Sequence, residues 1–471
     1  MAASRPPTLP AQDEQDAPRD GSPAPADQAH NLDGERPDGG LQAWLQVAAS
    51  FALYFNHLGF VNSFGVFQSY YAAHLLRASP PSAISWIGSL QVFALMALAV
   101  VVGPLYDLGH ARALLVAGTL LLVAGFVLTS VATRYWHVLL AQGLCMGLDA
   151  CCLSVPSMAI VPLYFARRRA RAMAVGTVGS GLGATLYPLM FERLQARLGF
   201  AWAIRAMGLV ALVLCVFAIV VIRRPPTPTE KPAWRRGRFS LRWFVDTSAF
   251  KEHTFLLYCA AIFFNNLVFF NSPYYLQSYA LAHGMQASSL APYLVALLNA
   301  STIPGRLVPS LFDDRCGPLD TYVVVCACTC ASVLYWISVS NAAGNVTFAV
   351  LYGFFSGGVV SLATVVVTNI TPDLGRLGTR LGMVSILKGV GSLVGPPISG
   401  AILGATGEYL GIQLFAALGM LMTTVLSVAL RIVLVRRHLS LLKQGGHHGV
   451  DAVQGAQQST DRKAEAAQAS C

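Results

Sequence analysis

Four ionisable residues lie inside long apolar stretches of this chain, where an unpaired charge is costly: His57, Asp149, Arg306 and Lys388. On insertion scales each charge inside a membrane helix costs about 2.5–3.5 kcal/mol, so such residues face a water-filled cavity or one another. Arg306 suits an anionic ligand, because a guanidinium group pairs well with a carboxylate. Asp149 and His57 are candidates for carrying a proton.

Each of these residues also has a structural interpretation. Arg306 stands at the start of a loop-like motif and could only brace the end of its apolar stretch. Asp149 and Lys388 could form a structural ion pair, and the histidine could be a hydrogen-bonded packing residue. Asn265 and Asn266 are further candidates for lining a cavity, with hydrogen bonding between helices as the alternative.

The composition indicates a membrane protein. Of the 471 residues, 55% are hydrophobic and 11% are charged, whereas a soluble protein is about 25% charged. The net charge of +10 then reflects basic cytoplasmic loops rather than a nucleic-acid partner. Most cysteines lie in apolar runs, and the sequence shows neither a metal-ligand set nor a convergent nucleophile and base. We therefore predict a protein that is not an enzyme and that uses no metal or cofactor.

Twelve apolar segments are long enough to cross a bilayer as helices, which predicts an all-α membrane protein. The segments are 42–66, 84–106, 112–131, 136–162, 172–191, 201–222, 255–279, 289–312, 321–340, 346–370, 381–405 and 410–435. A polar, proline-containing linker at 223–254 separates an N-terminal half at 39–222 from a C-terminal half at 255–437. The tails at 1–38 and 438–471 contain no apolar core, so we expect them to be disordered.

The basic residues predict an orientation. A cluster of four arginines at 167–171 stands between two apolar segments, and basic residues gather in cytoplasmic loops. The loops predicted on the outside contain only Arg77, Arg134, Arg193 and Arg197. Both termini are therefore predicted to be cytoplasmic, in a multi-pass protein of the cell membrane.

The two halves repeat each other at a nearly constant distance along the sequence. Arg171 and Arg380 are 209 positions apart, and so are Pro188 and Pro397. An internal repeat of this kind is typical of secondary transporters. It predicts two pseudo-symmetric halves of six helices each.

Glycine-rich stretches occupy matching places in the fifth and eleventh segments. Gly176, Gly179 and Gly183 lie in the fifth, and Gly391, Gly395, Pro396, Pro397, Gly400 and Gly404 lie in the eleventh. Small residues allow two membrane helices to approach closely. We expect these stretches to be the faces along which the two halves pack and rock.

Two further features carry predictions. Asp107, and Asp314 with Arg315, follow the second and eighth segments and are expected to latch a cytoplasmic gate through charge pairs or helix ends. Asn345 begins the Asn-Val-Thr sequon that falls on the predicted outer side. It is therefore predicted to carry a glycan.

Three stretches resemble the major facilitator superfamily and, more narrowly, the fungal branch of its monocarboxylate porter family. DGGLQAW at 38–44 resembles the opening of the family's first span, and YFARRRARAMAVG at 164–176 resembles the motif that enters its fifth span. The stretches 103–107 and 305–317 resemble the superfamily's repeated loop motif. The resemblance implies two six-helix halves that alternate access around a central site. In the fungal branch, relatives often export secondary metabolites.

The chain departs from the animal lactate carriers of that family at two positions. Asn62 stands where those carriers have a lysine in the first span, which adds Asn62 to the candidate pathway residues. Thr302 stands where they have an aspartate one turn before the arginine that corresponds to Arg306. These departures disfavour proton-coupled transport of lactate.

The sequence therefore predicts a monomeric secondary transporter that exports a small organic compound, either an organic anion or a secondary metabolite. No nucleotide-binding motif is present, so a gradient, with protons as the candidate ion, would supply the energy. Proton-linked import of a monocarboxylate or a vitamin-like nutrient is the alternative function. A non-transporting membrane sensor is a third interpretation, which the short tails disfavour.

Overall fold

Twelve helices, α1 to α12, make up the computed structural model, which describes residues 39–165, 168–223, 249–283, 285, 290–371 and 377–436. No strand occurs in these ranges. The predicted tails and nearly all of the predicted linker lie outside the described residues, as does Arg167.

The first six helices form the N-terminal half. Helix α1 comprises Leu41–Asn62, Phe64–Tyr70 and the π-helical turn Tyr71–Leu75; α2 is Pro81–Asp107 and α3 is Ala111–Ser130. Helix α4 comprises Tyr135–Val138, the π-helical segment Leu139–Cys145, Met146–Ala159 and the 3₁₀ turn Val161–Leu163. Helix α5 is Arg169–Leu198 and α6 is Phe200–Val221.

The other six helices form the C-terminal half. After a 3₁₀ turn at Ala249–Lys251, α7 comprises His253–Phe269 and Asn271–Ala282, and α8 comprises the 3₁₀ turn Ala291–Tyr293 and Leu294–Cys316. Helix α9 is Pro318–Ile337, α10 is Ala342–Ile370, α11 is Leu377–Thr406 and α12 is Leu410–Arg436.

Every one of the twelve predicted spans is helical, which confirms the predicted fold class. Among the described residues, nine helices are long and apolar enough to cross a membrane on length and composition alone. Helices α1, α5 and α8 are not among these nine. Helix α5 packs against both α1 and α8, so parts of these three helices face protein rather than lipid.

Two interfaces join the halves, and the internal repeat relates them to each other. Helix α2 packs against α11, and α5 packs against α8. We call the end of the bundle that holds Leu41 and Arg223 the near end, and the opposite end, with the turns at 76–80 and 338–341, the far end. At the far end the outer parts of α1 and α7 also touch.

Gly176, Gly179 and Gly183 of α5 do not lie between the halves, contrary to the prediction. A Cβ added to Gly179 or Gly183 would lie 2.3 or 2.2 Å from a backbone oxygen of α1, and one added to Gly176 would meet the Ser50 hydroxyl of α1. These three residues therefore pack α5 against α1 inside the N-terminal half. Gly181, on the next face of the same helix, meets Ile303 of α8 across the two halves.

Of the residues of α11 predicted to lie between the halves, Gly395 and Pro396 pack within the C-terminal half, whereas Gly400 contacts the other half. A Cβ at Gly395 would lie 1.6 Å from the Leu267 backbone oxygen of α7, in the same half. The Pro396 carbonyl accepts a hydrogen bond from Tyr275 of α7 at 3.2 Å. Contact with the other half falls to Gly400, whose added Cβ would lie 2.6 Å from the Ser82 backbone of α2.

A buried ion pair fixes the near end of the C-terminal half. Arg380 of α11 is 2% exposed and binds Glu252 through two hydrogen bonds, of 2.9 and 2.6 Å. Its guanidinium carbon also lies 5.3 Å from the Phe255 ring centroid. The start of α7 is thereby attached to α11.

Of two further predictions, the glycan on Asn345 is contradicted and the latch falls on side chains that the structure does not describe. Asn345 is fully buried in the first turn of α10, and its amide donates to the Asn341 carbonyl at 3.1 Å and to the Met285 sulfur at 3.5 Å. Because a glycan cannot occupy a packed interior, the predicted glycosylation of Asn345 is contradicted. The side chains of the predicted latch, Asp107, Asp314 and Arg315, lie outside what the structure describes.

Candidate functional site

A central cavity lies between the two halves. It contains about 1060 Å³ of space that no protein atom occupies, part of it open to solvent. Helices α1, α2 and α5 contribute the N-terminal wall, and α7, α8, α10 and α11 contribute the C-terminal wall. A cavity between helices that both halves border is where a small-molecule site is expected.

The two walls differ in chemistry. The N-terminal wall is mainly apolar and includes Val61, Val92, Leu95 and Met96. The C-terminal wall carries most of the polar groups, and these are Asn265, Asn266, Asn299, Thr302, Arg306, Ser356 and Lys388. The cavity can therefore hold a molecule that is polar on one side and apolar on the other.

Close packing of α8 on α10 positions the arginine. A Cβ at Gly305 would lie 1.9 Å from the Phe354 backbone oxygen, and one at Gly357 would lie 2.6 Å from that of Thr302. Glycine at these places lets the two helices approach closely. The facing surfaces of α8 then turn Thr302 and Arg306 into the cavity.

Arg306 has unused hydrogen-bonding capacity. Its Nη1 atom donates to the Ser180 hydroxyl of α5 at 2.6 Å, across the two halves. Its buried Nε atom has no hydrogen-bond partner among the described residues, and no carboxylate of that part of the chain forms an ion pair with it. Because a guanidinium group has five N–H donors, it retains donors for an anion.

Lys388 is the second cation of the cavity lining. It lies in α11, next to Gly389, at which an added Cβ would lie 3.2 Å from the Met96 Cβ of α2. The ion pair with Asp149, which was the structural alternative for these two residues, is not formed, because Asp149 is buried inside the N-terminal half and is not part of the lining. Nor does any other described carboxylate pair with Lys388.

Three predicted asparagines border the cavity. Asn62 donates to the Leu58 carbonyl at 2.9 Å, and its own carbonyl accepts a hydrogen bond from Asn299 of α8 at 3.2 Å. Asn266 donates to the Ile262 carbonyl at 2.9 Å. Asn265 is directed at the Met420 sulfur of α12, at 3.8 Å. Asn62 thus links the two halves at the edge of the cavity.

His57 lies elsewhere. It is 1% exposed and is not part of the cavity lining. Its Nδ1 atom is 2.7 Å from the Leu53 carbonyl of the preceding helical turn, and its ring centroid is 5.3 Å from that of Tyr54. This arrangement fits the alternative of a packing residue better than a place in the substrate pathway.

The far end of the bundle is closed above the cavity. The hydroxyls of Ser69 and Ser278 are 3.0 Å apart, between α1 and α7. Gln277 of α7 donates to Glu192 of α5 at 3.0 Å. The rings of Phe64 and Tyr274 meet at 4.8 Å between centroids. These contacts join the halves, so they must break when the far end opens.

Sequence reasoning missed several lining residues. Ser180, which binds Arg306, lies among the glycines of α5, and its position between two of them was the available signal. Ser356 and the apolar residues of α2 carry no distinguishing signal in one sequence, because serine and leucine occur throughout membrane helices. Only the packing of the helices shows that they face the cavity.

The described residues form twelve helices in two related halves, and nine of these helices are long and apolar enough to cross a membrane. Together with a cavity between the halves that carries both polar and apolar groups, this arrangement defines a membrane transport protein. Residues 49–372 match the family model described as Major Facilitator Superfamily. The chain belongs to this superfamily and is a secondary transporter.

Known proteins similar to this chain agree with that assignment. The Aspyridones efflux protein apdF of Emericella nidulans is 35% identical over 398 residues, which cover 84% of this chain and 79% of the relative. The MFS transporter asaE of Aspergillus flavus is 37% identical over 416 residues, 88% and 91% of the two chains. The Fujikurins efflux protein of Gibberella fujikuroi is 31% identical over 436 residues, 90% and 91%.

A solved structure shares the fold. A variant of the nucleoside transporter NupG superposes with a TM-score of 0.66, covering 82% of this chain and 99% of that one. The two sequences are 14% identical, so the likeness shows the fold alone.

Proposed function

We propose that this chain exports an amphipathic organic anion from the cytosol, by alternating access around the central cavity. The observation that carries the proposal is the charge of the lining. Arg306 and Lys388 face the cavity, and no described lining residue is acidic. Two cations without acidic partners among the described residues leave a positive field in the cavity, which favours an anion. The apolar wall of α1 and α2 would bury the rest of the molecule.

The names of similar proteins support the direction of transport. Two relatives that match most of this chain are named as efflux proteins, one for aspyridones and one for fujikurins. We infer that this chain also acts in efflux and that its cargo is a compound of the secondary-metabolite kind. We also propose that the chain belongs to the monocarboxylate porter family, that it is a monomer and that it resides in the cell membrane.

The orientation follows from the exposed basic residues. Among the described lysines and arginines, seven are exposed at the near end (Arg112, Arg168, Arg171, Arg223, Lys251, Arg431 and Arg436) and five at the far end (Arg77, Arg134, Arg193, Arg197 and Arg205). Basic residues favour the cytoplasmic side, so the excess favours the near end. With the near end in the cytosol, the closed far end faces outside, and the cavity is in the state that loads cargo from the cell.

We expect an impermeant maleimide to label Ala282→Cys at the far end in intact cells, because that end would face outside. The matched variant His110→Cys at the near end should react only after the cells are opened. Both positions are exposed, so the parent protein supplies the background from the native cysteines. Labelling of His110→Cys in intact cells would overturn the orientation.

The charge of the cavity can be tested with naphthalene-2-sulfonate, an anion that stays ionised near neutral pH and does not leak through the bilayer as a neutral acid. Proteoliposomes that contain the wild-type protein should exchange it in counterflow. Lys388→Met should weaken this exchange by roughly 10- to 150-fold, the equivalent of one hydrogen bond to a charged group. The neutral analogue naphthalene-2-sulfonamide should be affected much less.

The control is Arg205→Met, which removes a cation of α6 that bonds to Ser130 and lies outside the cavity lining. It should leave the exchange of both compounds unchanged. Equal losses for the sulfonate and the sulfonamide in Lys388→Met would contradict a role for the lysine in recognising charge. Absence of any sulfonate exchange by the wild-type protein would contradict the proposal of an anion carrier for this class of anion.

A further inference from the structure

Asp149 is the one described carboxyl group that is buried inside the N-terminal half, away from the cavity. It is 1% exposed, and its Oδ1 atom has no hydrogen-bond partner among the described residues. No arginine, lysine or histidine of that part of the chain forms an ion pair with it. Burying a carboxylate without a counter-charge is very unfavourable, whereas a protonated carboxyl group is tolerated far better.

The polar groups around Asp149 satisfy one another instead. Tyr187 of α5 donates to the Asn56 side-chain oxygen of α1 at 2.9 Å. The Asn56 amide donates to the Ala211 carbonyl at 3.0 Å and is 3.1 Å from the Cys215 sulfur of α6. Tyr187 and Cys215 lie within electrostatic range of Asp149. Four helices thus meet at a polar centre that supplies no positive charge.

The titratable groups that face this centre are few. Besides Tyr187 and Cys215, they are Cys145, Cys151 and Cys152 on α4 itself. Helix α1 also carries His57, the residue after Asn56, which is packed as described above. Helices α2 and α3 carry titratable residues only at their near ends, and these are Tyr106, Asp107 and Arg112. Asp149 is therefore the one carboxyl group among the described titratable groups that face this centre.

Helix α4 is irregular on both sides of Asp149. The π-helical segment Leu139–Cys145 ends four residues before it. Pro156 lies inside the helix after it, where it removes one backbone hydrogen-bond donor. The π segment is bonded to the π turn of α1, because the Tyr71 hydroxyl donates to the Gln142 side-chain oxygen at 2.6 Å. π segments are frequent at functional sites. Such a segment permits a local change of helical register without unfolding the helix.

A path of direct contacts leads from this centre to the cavity. Gly147, two residues before Asp149, packs on α2, where its added Cβ would lie 2.7 Å from the Ala94 Cβ. The same helix α2 lines the cavity through Leu95 and Met96. Met96 in turn touches α11 at Gly389, beside Lys388. A shift of α4 would therefore move the cavity wall of α2 relative to the lysine.

We propose that Asp149 is the proton-binding site that couples export to the proton gradient, separate from the substrate cavity. The carboxyl group holds its proton in the conformation described here. It releases the proton to water, leaving a carboxylate, in the alternate conformation in which α4 has moved on α2. The coupling of this proton to export rests on the proposed function. The proton site itself does not, because the packing of the N-terminal half defines it.

Two measurements on the full chain in liposomes test the proposal. In infrared spectra at neutral pH, the wild-type protein should show the carbonyl band of a protonated carboxylic acid that is missing from Asp149→Asn. In transport, a pH gradient should drive accumulation of naphthalene-2-sulfonate by the wild-type protein. Asp149→Asn, which mimics the protonated group in shape, should keep counterflow exchange but lose accumulation.

The controls separate the alternatives. Asp320→Asn removes a carboxyl group that is paired with Arg431 and about 39% exposed, so it should change neither measurement. Asp149→Glu should retain the infrared band at a shifted position, which keeps the test valid if the asparagine variant folds poorly. His57→Gln should leave accumulation intact.

Several outcomes would overturn the inference. One is an infrared band that survives in Asp149→Asn, and another is accumulation by that variant equal to wild type. Loss of accumulation in His57→Gln alone would transfer the role to the histidine. If the wild-type protein moves no sulfonate at all, the proposed anion transport fails, while the infrared band still decides whether Asp149 holds a proton.

Discussion

Arg306→Met is expected to lower counterflow exchange of naphthalene-2-sulfonate by roughly 10- to 150-fold or more, while the protein stays folded. Hydrogen bonds to charged groups contribute about 1.5–3 kcal/mol, and each 1.4 kcal/mol is about a factor of ten in affinity. Arg306 offers its buried Nε and further N–H donors to the cavity. Methionine retains an unbranched apolar side chain but removes the charge and all the N–H donors.

Two matched variants distinguish anion binding from bracing. Arg306→Lys keeps a positive charge but loses the planar guanidinium group with its several N–H donors, so it should retain part of the exchange. Ser180→Ala removes the cross-half hydrogen bond of 2.6 Å and leaves the guanidinium group in place. If Ser180→Ala loses as much exchange as Arg306→Met, then the arginine acts as a brace between α5 and α8. Near-normal exchange in Ser180→Ala supports direct contact with the anion.

The architecture was readable from the sequence because its signals are local. A run of about twenty apolar residues is sufficient to predict a spanning helix, and the twelve predicted spans all correspond to helices. The irregularities were not readable. The π segments of α1 and α4 depend on packing such as the Tyr71–Gln142 hydrogen bond, which joins residues 71 positions apart.

The direction in which each helix faces was the weakest part of the sequence reasoning. Glycines at 176, 179 and 183 correctly indicated a close helix contact, but the partner is α1 and not the other half. Spacing along one helix identifies a face, whereas only the packing of the other helices shows what that face meets. The same limit led to the suggested pair of Asp149 and Lys388, which lie in different environments.

Single residues also differ in how well the sequence predicts their place. Arg306 and Lys388 could be singled out because a charge within an apolar stretch is rare and needs a reason. Asn345 shows the opposite case, since a sequon is a pattern of three residues that says nothing of burial. Its side chain is enclosed by the first turn of α10 and Met285, which no local pattern predicts.

Gly395→Ala is expected to destabilise the protein strongly, because its added Cβ would lie 1.6 Å from the Leu267 backbone oxygen. Over-packing a well-packed interior typically costs about 1–3 kcal/mol. Here the opposing atom belongs to the backbone of α7, so the two helices themselves would have to separate. We expect a clear fall in the thermal midpoint of the purified protein and in its abundance in the membrane.

Gly404→Ala, on the same helix, is the matched control. Its added Cβ would have only the Pro81 Cδ nearby, at 3.8 Å, and alanine in a helix is favoured over glycine by roughly 0.5–1 kcal/mol. The thermal midpoint of this variant should stay the same or rise slightly. Equal midpoints for Gly395→Ala and Gly404→Ala would show that α7 and α11 are not packed as closely as described. The placement of α11, and with it the position of Lys388 in the cavity, would then be wrong.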